Sequence, residues 1–364
     1  MSLAAGFLQI DGSVLEGGGQ ILRISTALSA ILGIPIEVSN IRAGRSSPGL
    51  RPQHLTGMQL VRDLTNGKLD GDQIGSTSVR FTPGKITGGH FTVDTGTAGS
   101  ISLIIQAALP CLLFTDKKSS LSLKGGTNVE SAPPIDYFAH IFKSIAKHFG
   151  IDISCNLVRR GFYPKGGGEV QLFVTPVPKL KAVLLDAKQK ITAITGFSFV
   201  AGTIPIRVAY EMRDSAERKL QTVYTSIPIK IDCYKEKDTH AFGNGTAIIL
   251  AAETSERMLL GSDGLGKPKV PAAEVGLRAA TNLIESCAGY VCLDRQAQDQ
   301  VIILMALAEG KSRILIGPLT LHTQTAIHVT SLLTKVEFNV IDMKTQPETF
   351  IIECEGIGHK NVYL

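Results

Sequence analysis

Three arginines, a glutamine and a histidine fall within one short stretch, Ile41-Arg42-Ala43-Gly44-Arg45-Ser46-Ser47-Pro48-Gly49-Leu50-Arg51-Pro52-Gln53-His54. A guanidinium presents a planar fork of donors that suits phosphate oxygens, and glycine lets backbone N–H groups approach an anion closely. A helical pattern, Leu55 to Leu64, follows directly, so the loop opens onto a helix N-terminus, itself a favourable place for an anion. The competing reading is a solvated basic loop. A second stretch, Asp11-Gly12-Ser13-Val14-Leu15-Glu16-Gly17-Gly18-Gly19-Gln20-Ile21-Leu22-Arg23, runs from a strand into a carboxylate, three glycines and a helix. Glu16 could hold a hard divalent metal that bridges to phosphates, or simply favour the helix N-terminus. Triple glycine is costly inside a helix, so its backbone freedom must serve some purpose.

Other segments add weaker signals. Thr95-Gly96-Thr97-Ala98-Gly99-Ser100 opens a helix that carries Gln106. Lys124-Gly125-Gly126-Thr127-Asn128 is followed by Ser131-Ala132-Pro133-Pro134-Ile135-Asp136-Tyr137. Both are turns that could present backbone donors, and the prolines with Tyr137 could offer a flat apolar wall to a base. Tyr163-Pro164-Lys165-Gly166-Gly167-Gly168-Glu169 either lines the same cleft or forms a flexible hairpin. His322 stands where a strand ends and a helix begins, as a nucleophile, a base or a structural group. Gly261-Ser262-Asp263-Gly264-Leu265-Gly266-Lys267 fits the first seven positions of a phosphate-binding P-loop. Pro268 replaces the hydroxyl residue that would ligate magnesium, and the segment is remote in sequence from the arginine loop, so it is excluded as a nucleotide site.

The elements that must position these residues recur. Helical patterns at Gly17 to Leu32, His54 to Leu64, Gly99 to Leu113, Asp136 to Phe149, Asp299 to Ala308 and Thr323 to Leu333 alternate with strands such as Val79 to Thr82 and Glu169 to Val174. The helices fall into three pairs, which predicts an α/β protein built on repeats of two helices on a small sheet. The third pair is delayed by a segment of different order: strand (Ile194 to Val200), helix (Ile206 to Val223), strand (Ser226 to Asp232), two more strands (Thr246 to Glu253, Arg257 to Gly261), then helix (Ala272 to Ser286). The expected organisation is a large domain of residues 1–184 with 289–364, and an inserted α/β domain of residues 185–288.

Composition narrows the class. The 364 residues are 44% hydrophobic and 19% charged, ordinary for a globular protein with an ample core. A net charge of +5 permits a nucleic-acid or phosphate-rich partner without demanding one. The absence of Trp, with 6% aromatics, argues against an extended base-stacking platform. Six scattered cysteines without metal-ligand spacing read as buried free thiols in a reducing compartment. The longest apolar stretch, Ile101 to Phe114, is too short to span a bilayer, and no secretory segment is evident, so a soluble intracellular protein is expected.

Taken together, these segments resemble the RNA 3′-terminal phosphate cyclases over essentially the whole chain. The blocks that carry the resemblance are Glu16 to Arg23, Arg42 to Arg51, Gly125 to Asn128 with Ala132 to Pro134, Gly161 to Gly168, and Leu321 to His328. The resemblance implies three repeats, each of two helices on a four-stranded sheet, interrupted by a small thioredoxin-like insert. It implies an ATP-dependent reaction on RNA with a 3′-terminal phosphate. His322 would attack the α-phosphorus, AMP would pass from the histidine to the RNA phosphate, and the ribose 2′-OH would close a 2′,3′-cyclic phosphate. By the same resemblance Glu16 contacts Mg2+ or Mn2+, and Arg23, Arg42, Arg45 and Gln53 surround the reacting phosphates. Gln106, Pro133, Asp299 and Gln300, with His322, contact ATP.

The chain departs from the family at Gln296, where a tyrosine usually stacks on adenine; a lost base stack weakens binding by about 1–3 kcal/mol. The family implies nuclear residence, with the cytosol as the alternative. No DNA-specific motif or membrane segment is read, and the oligomeric state is open. The alternative to the enzyme is a non-catalytic, cyclase-like RNA or protein binder in ribosome biogenesis, which would lack the nucleophile. An enolpyruvyl transferase shares the repeated architecture but would need a longer chain.

Overall fold

The computed structural model describes residues 6–364. One order of elements, strand-helix-strand-helix-strand-strand, builds the protein three times. In the first repeat it comprises Leu8–Asp11, the helix Gly19–Leu32, Ile36–Ser39, the helix Pro52–Thr65, Lys68–Asp70 and Val79–Thr82. The first two strands pair in parallel, the second and fourth antiparallel, and the third closes the far edge on the fourth. The second repeat runs His90–Asp94, the helix Ile101–Leu112, Ser119–Gly125, a helix, then Asp152–Gly161 and Gly168–Thr175, in the same sheet order. Its second helix is Ile135–Tyr137 and Lys143–His148 joined through a π-turn at Phe138–Phe142. The third uses Leu184–Leu185, the helix Gln298–Leu307, Glu309–Ile316, the helix Leu321–Thr334, Phe338–Asp342 and Phe350–Ile357, again in that order.

Between the first strand and first helix of the third repeat lies a separate four-stranded sheet. Ile191–Ala201 and Ile229–Lys235 pair in parallel, while Gly245–Thr254 and Leu259–Leu265 continue antiparallel. The helices Arg207–Gln221 and Ala272–Cys287 pack on this sheet and on each other. The fold is therefore mixed α/β, three repeats with a small α/β insert. The insert also lends the short strand Ala241–Phe242 to the edge of the second repeat's sheet.

Burial follows the patterns that generate the elements. Gly168–Thr175 alternates buried with less buried positions, the period-two signature of a strand with one face on a core. After its polar first turn, Gln298–Leu307 is apolar all round and buried from Val301 to Leu307, which suits a helix in the centre of the molecule. The helix Gly19–Leu32 packs against Ile101–Leu112 and Leu321–Thr334, and Ile101–Leu112 touches Gln298–Leu307, so all three repeats meet at the middle. Cys111, Cys287, Cys292 and Cys354 are buried free thiols, whereas Cys155 and Cys233 are free but half-buried. Among the described residues no helix is long and apolar enough to cross a membrane.

Candidate active site

The helix N-termini of the three repeats border two adjoining clefts. The first repeat brings Gln20, Arg23, Gln53 and His54, the second Gly99, Leu103, Gln106 and Pro133, and the third Asp299, Leu321 and His322. The clefts, of about 530 and 1100 Å³, share Arg23, Leu103, Ser131 and His322. Each helix start carries unsatisfied N–H groups and a partial positive charge, so their convergence favours a polyanion.

His322 is exposed in the first turn of Leu321–Thr334, a turn capped by Thr320 Oγ1 accepting from Thr323 N (3.0 Å). Its Nδ1 lies 3.2 Å from Gln20 Oε1, and Gln20 Nε2 donates to Asp299 Oδ2 at 2.5 Å. The carboxylate only accepts when ionised, so it takes the amide NH2 and turns the amide oxygen to the imidazole. Nδ1 is then the protonated nitrogen, and Nε2 keeps its lone pair free as a nucleophile. Burial raises the Asp299 carboxyl to about 6, against the opposing pull of His322 and Arg23. Burial also lowers Arg23, offset by the charges of Asp299 and Glu16.

The arginine loop forms the other wall. Arg45 pairs with the Glu16 carboxylate and donates to the Glu16 carbonyl at 3.1 Å. Arg42 braces its own loop, donating to the carbonyls of Ser47 (2.6 Å) and Gly49 (3.1 Å). Gln53 Oε1 accepts from Ser100 N (3.2 Å), tying this loop to the start of the second repeat's first helix. His54 lies buried beneath, its Nδ1 accepting from Arg51 N. Its pKa is pushed down to about 3, first by burial and then by Arg23, Arg42 and Arg51, so it is neutral and cannot serve as an acid–base group near neutrality.

The triple glycine explains itself here. Gly17 takes φ +58°, and a Cβ at Gly18 would lie 2.2 Å from the Glu16 carboxylate. One at Gly19 would lie 2.3 Å from His54 Nε2. Only bare backbone lets Glu16 and His54 pack on this turn. The same turn is held to the third repeat by Glu16 N donating to Thr325 Oγ1 (3.2 Å). Glu16 Oε2 is buried without a partner, although Glu16 belongs to no group of three metal-binding side chains among the described residues. One carboxylate paired with Arg45 and keeping an oxygen uncommitted would suit a magnesium ion that arrives already bound to a phosphate.

The clefts thus hold Glu16, Arg23, Arg42, Arg45, Gln53, Gln106, Pro133, Gln296, Asp299 and His322. Gln300 lines neither; its Nε2 donates to the Gln296 carbonyl (2.6 Å), and it borders an apolar cavity behind Gln106 and Asp299. Tyr137 is not a wall for a base: it is buried, its hydroxyl donating to Asp294 Oδ1 (2.7 Å), because a large ring in an apolar helix face packs inward. Gly126 and Thr127 offer no donors to a ligand, since their N–H groups bond the carbonyls of Gly99 and Gly161. Tyr163 and Pro164 do line the arginine cleft, on the hairpin between Asp152–Gly161 and Gly168–Thr175. The segment resembling a P-loop is mostly strand, Leu259–Leu265, yet Asp263, Gly264, Leu265 and Lys267 border the His322 cleft. Its distance in sequence is no distance in space.

Sequence reasoning missed Gln20 and Asp263. Gln20 sat inside a quoted motif, but nothing local marks an amide as a histidine's partner 302 positions away. Asp263 Oδ1 accepts from Gln296 Nε2 at 2.6 Å, and burial raises its carboxyl to about 6.

Fold and site define a mixed α/β repeat protein with an exposed imidazole in a cleft lined by arginines. Residues 14–340 match the family model described as RNA 3′-terminal phosphate cyclase. The chain is 42% identical to the RNA 3′-terminal phosphate cyclase of Drosophila melanogaster, over 97% of this chain and 98% of that protein. It is 38% identical to the protein of that name from Pyrobaculum aerophilum and 41% identical to that from Desulfurococcus amylolyticus, in each case over 97% of this chain and 99% of the relative. The chain belongs to the RNA 3′-terminal phosphate cyclase family.

Proposed function

We propose that this protein converts the 3′-phosphate of an RNA to a 2′,3′-cyclic phosphate at the expense of ATP, through a histidyl–AMP intermediate on His322. The observation that carries the reading is the His322–Gln20–Asp299 relay, which leaves Nε2 unprotonated and exposed among arginines. Nε2 attacks the α-phosphorus as the bond to pyrophosphate breaks, giving a phosphoramidate. An oxygen of the RNA 3′-phosphate then attacks that phosphorus and frees the imidazole. The ribose 2′-OH finally attacks the activated 3′-phosphorus, losing its proton as AMP leaves. A phosphate oxygen departs poorly until it is adenylylated, and covalent catalysis divides that activation into easier steps.

Arg23, Arg42, Arg45 and Gln53 hold the reacting phosphates against His322, and Gln106, Pro133, Gln296, Asp299 and Gln300 shape the ATP side. Glu16 would hold Mg2+ or Mn2+, which would supply charge neutralisation on the phosphates. The division into residues 1–184 with 289–364 and an insert of residues 185–288 belongs to this proposal and is checked by limited proteolysis. So does nuclear residence, checked by cell fractionation. The decisive experiment incubates the protein with α-labelled ATP and magnesium, then denatures it. An acid-labile label on the protein, lost in His322→Ala, is expected. A folded protein that takes up no label would instead be a binder of RNA ends.

A further inference from the structure

The cleft beside His322 has two chemically different ends. Arg42 and Arg45 stand on the Glu16 side; the other end holds Asp263, on the strand Leu259–Leu265, with Pro133 and Gln296, and is rimmed by Lys267, Arg278 and Arg295. On the proposed reading the phosphates lie with Arg23, Arg42 and Arg45, and Pro133 and Gln296 shape the nucleoside side next to Asp263. What meets Asp263 is the base.

Asp263 is half-buried and belongs to no ion pair among the described residues. Its one hydrogen bond there comes from Gln296, whose Nε2 donates to Oδ1 at 2.6 Å. Gln296 is itself held by its backbone N–H, which donates to Asp294 Oδ1 at 2.8 Å. Asp294 also accepts from Gly261 N at 2.7 Å, on the same strand as Asp263. Both partners are thereby fixed to one buried carboxylate, and the pair is rigid. A partly desolvated carboxylate with one oxygen uncommitted is costly until a donor reaches it.

We propose that Asp263, held in place by Gln296, selects the base of the bound nucleotide by accepting a hydrogen bond from a purine 6-amino group. The inference rests on the reading of this cleft as an ATP site and names the determinant within it. The count of acceptors decides between purines. Guanine offers N1–H and a 2-amino group side by side and would need both carboxylate oxygens. Gln296 already engages Oδ1 and hinders that two-point contact, whereas the free Oδ2 suits the single amine of adenine. Hypoxanthine carries an oxygen in place of that amine and sets acceptor against acceptor, which a buried polar site rejects.

The test is titration calorimetry of the full chain with ATP, ITP and GTP in the presence of magnesium, at a pH above the value of about 6 to which burial raises Asp263. Wild type is expected to bind ATP more tightly than ITP by on the order of tenfold or more, as loss of a hydrogen bond to a charged group implies. In Asp263→Asn and Asp263→Ala the ratio should collapse toward one. The ratio compares two nucleotides on one preparation, so partial unfolding of a variant cancels. Equal affinities in wild type, a ratio unmoved by either substitution, or GTP binding more tightly than ATP would overturn the proposal. Labelling of His322 is scored in parallel. An intact ATP/ITP ratio without any label overturns the catalytic reading alone, whereas absence of nucleotide binding overturns both.

Discussion

An imidazole attacks phosphorus only through an unprotonated nitrogen, so the chemistry at His322 depends on which nitrogen carries the proton. Gln20 makes that choice by accepting from Nδ1 while Asp299 holds its amide in place. Gln20→Leu keeps the volume of the side chain and removes the acceptor. The expected result is a fall in the rate of His322 labelling of roughly 10- to 100-fold, the size of effect seen when a histidine loses the group that orients it. ATP affinity should change only a few-fold. Single-turnover labelling and equilibrium binding separate the two, and an unchanged labelling rate would remove Gln20 from the mechanism. The Gln296 position also reads differently once its neighbour is known. An amide in place of an aromatic ring is a lost stack when considered alone, but here the amide anchors a carboxylate at the end of the cleft proposed to take the base.

At the scale of elements, the glycine turn and the arginine loop work as one unit. The turn places Glu16 against Arg45, and its bare backbone accommodates the buried His54 ring. Gly19→Ala would push a methyl group to 2.3 Å from His54 Nε2. His54 must give way to admit it, so the strain should cost about 1–3 kcal/mol, visible as a lower Tm together with loss of labelling. A Tm equal to wild type would show that the ring moves freely. The loop makes a separate prediction. Arg45→Ala removes a cation from the phosphate end and leaves Asp263 and Gln296 untouched, so labelling should drop while the ATP/ITP preference persists. Equal loss of both would return the loop to a general structural role.

The whole molecule is held together around the insert by a buried charge cluster. Arg160, on the strand Asp152–Gly161, donates twice to Asp136 at 2.8 Å and pairs with Glu236 at 2.6 Å. It also donates to Tyr234 Oη at 3.1 Å and lies over the Phe199 ring. Asp136 belongs to the second repeat, and Glu236, Tyr234 and Phe199 belong to the insert. Arg160→Ala would strand two carboxylates and should destabilise the protein by roughly 3–5 kcal/mol, measured by urea unfolding. Burial alone would raise the Asp136 carboxyl, but Arg160 overcomes it and holds the group below its ordinary value of 3.8. A depressed carboxyl contributes stability that is full above 3.8 and disappears as pH falls below it through the folded value. Asp136→Asn should therefore flatten that part of the acid-unfolding curve. A curve identical to wild type would mean that other carboxylates govern acid unfolding.

Hydrophobic periodicity and turn chemistry are local, and they located nearly every helix and the residues flanking its start. Gly19–Leu32, Pro52–Thr65 and Leu321–Thr334 begin within a few residues of the expected positions, and the motifs at those starts were enough to indicate the family. The π-turn at Phe138–Phe142 was not legible, because a helical pattern does not distinguish one hydrogen-bond spacing from the next. Pairings between distant segments were hidden for a different reason. Glu16 with Arg45, Gln20 with His322 and Asp263 with Gln296 join residues whose identities carry no mark of their partners. The helix N-termini of the three repeats meet only after each repeat has buried its own apolar face and the repeats have packed together. By itself the sequence determined the elements and the chemically active residue types. The packing of three cores and an insert decided which of those residues share a cleft, because proximity across hundreds of residues is created by burial and not by spacing along the chain.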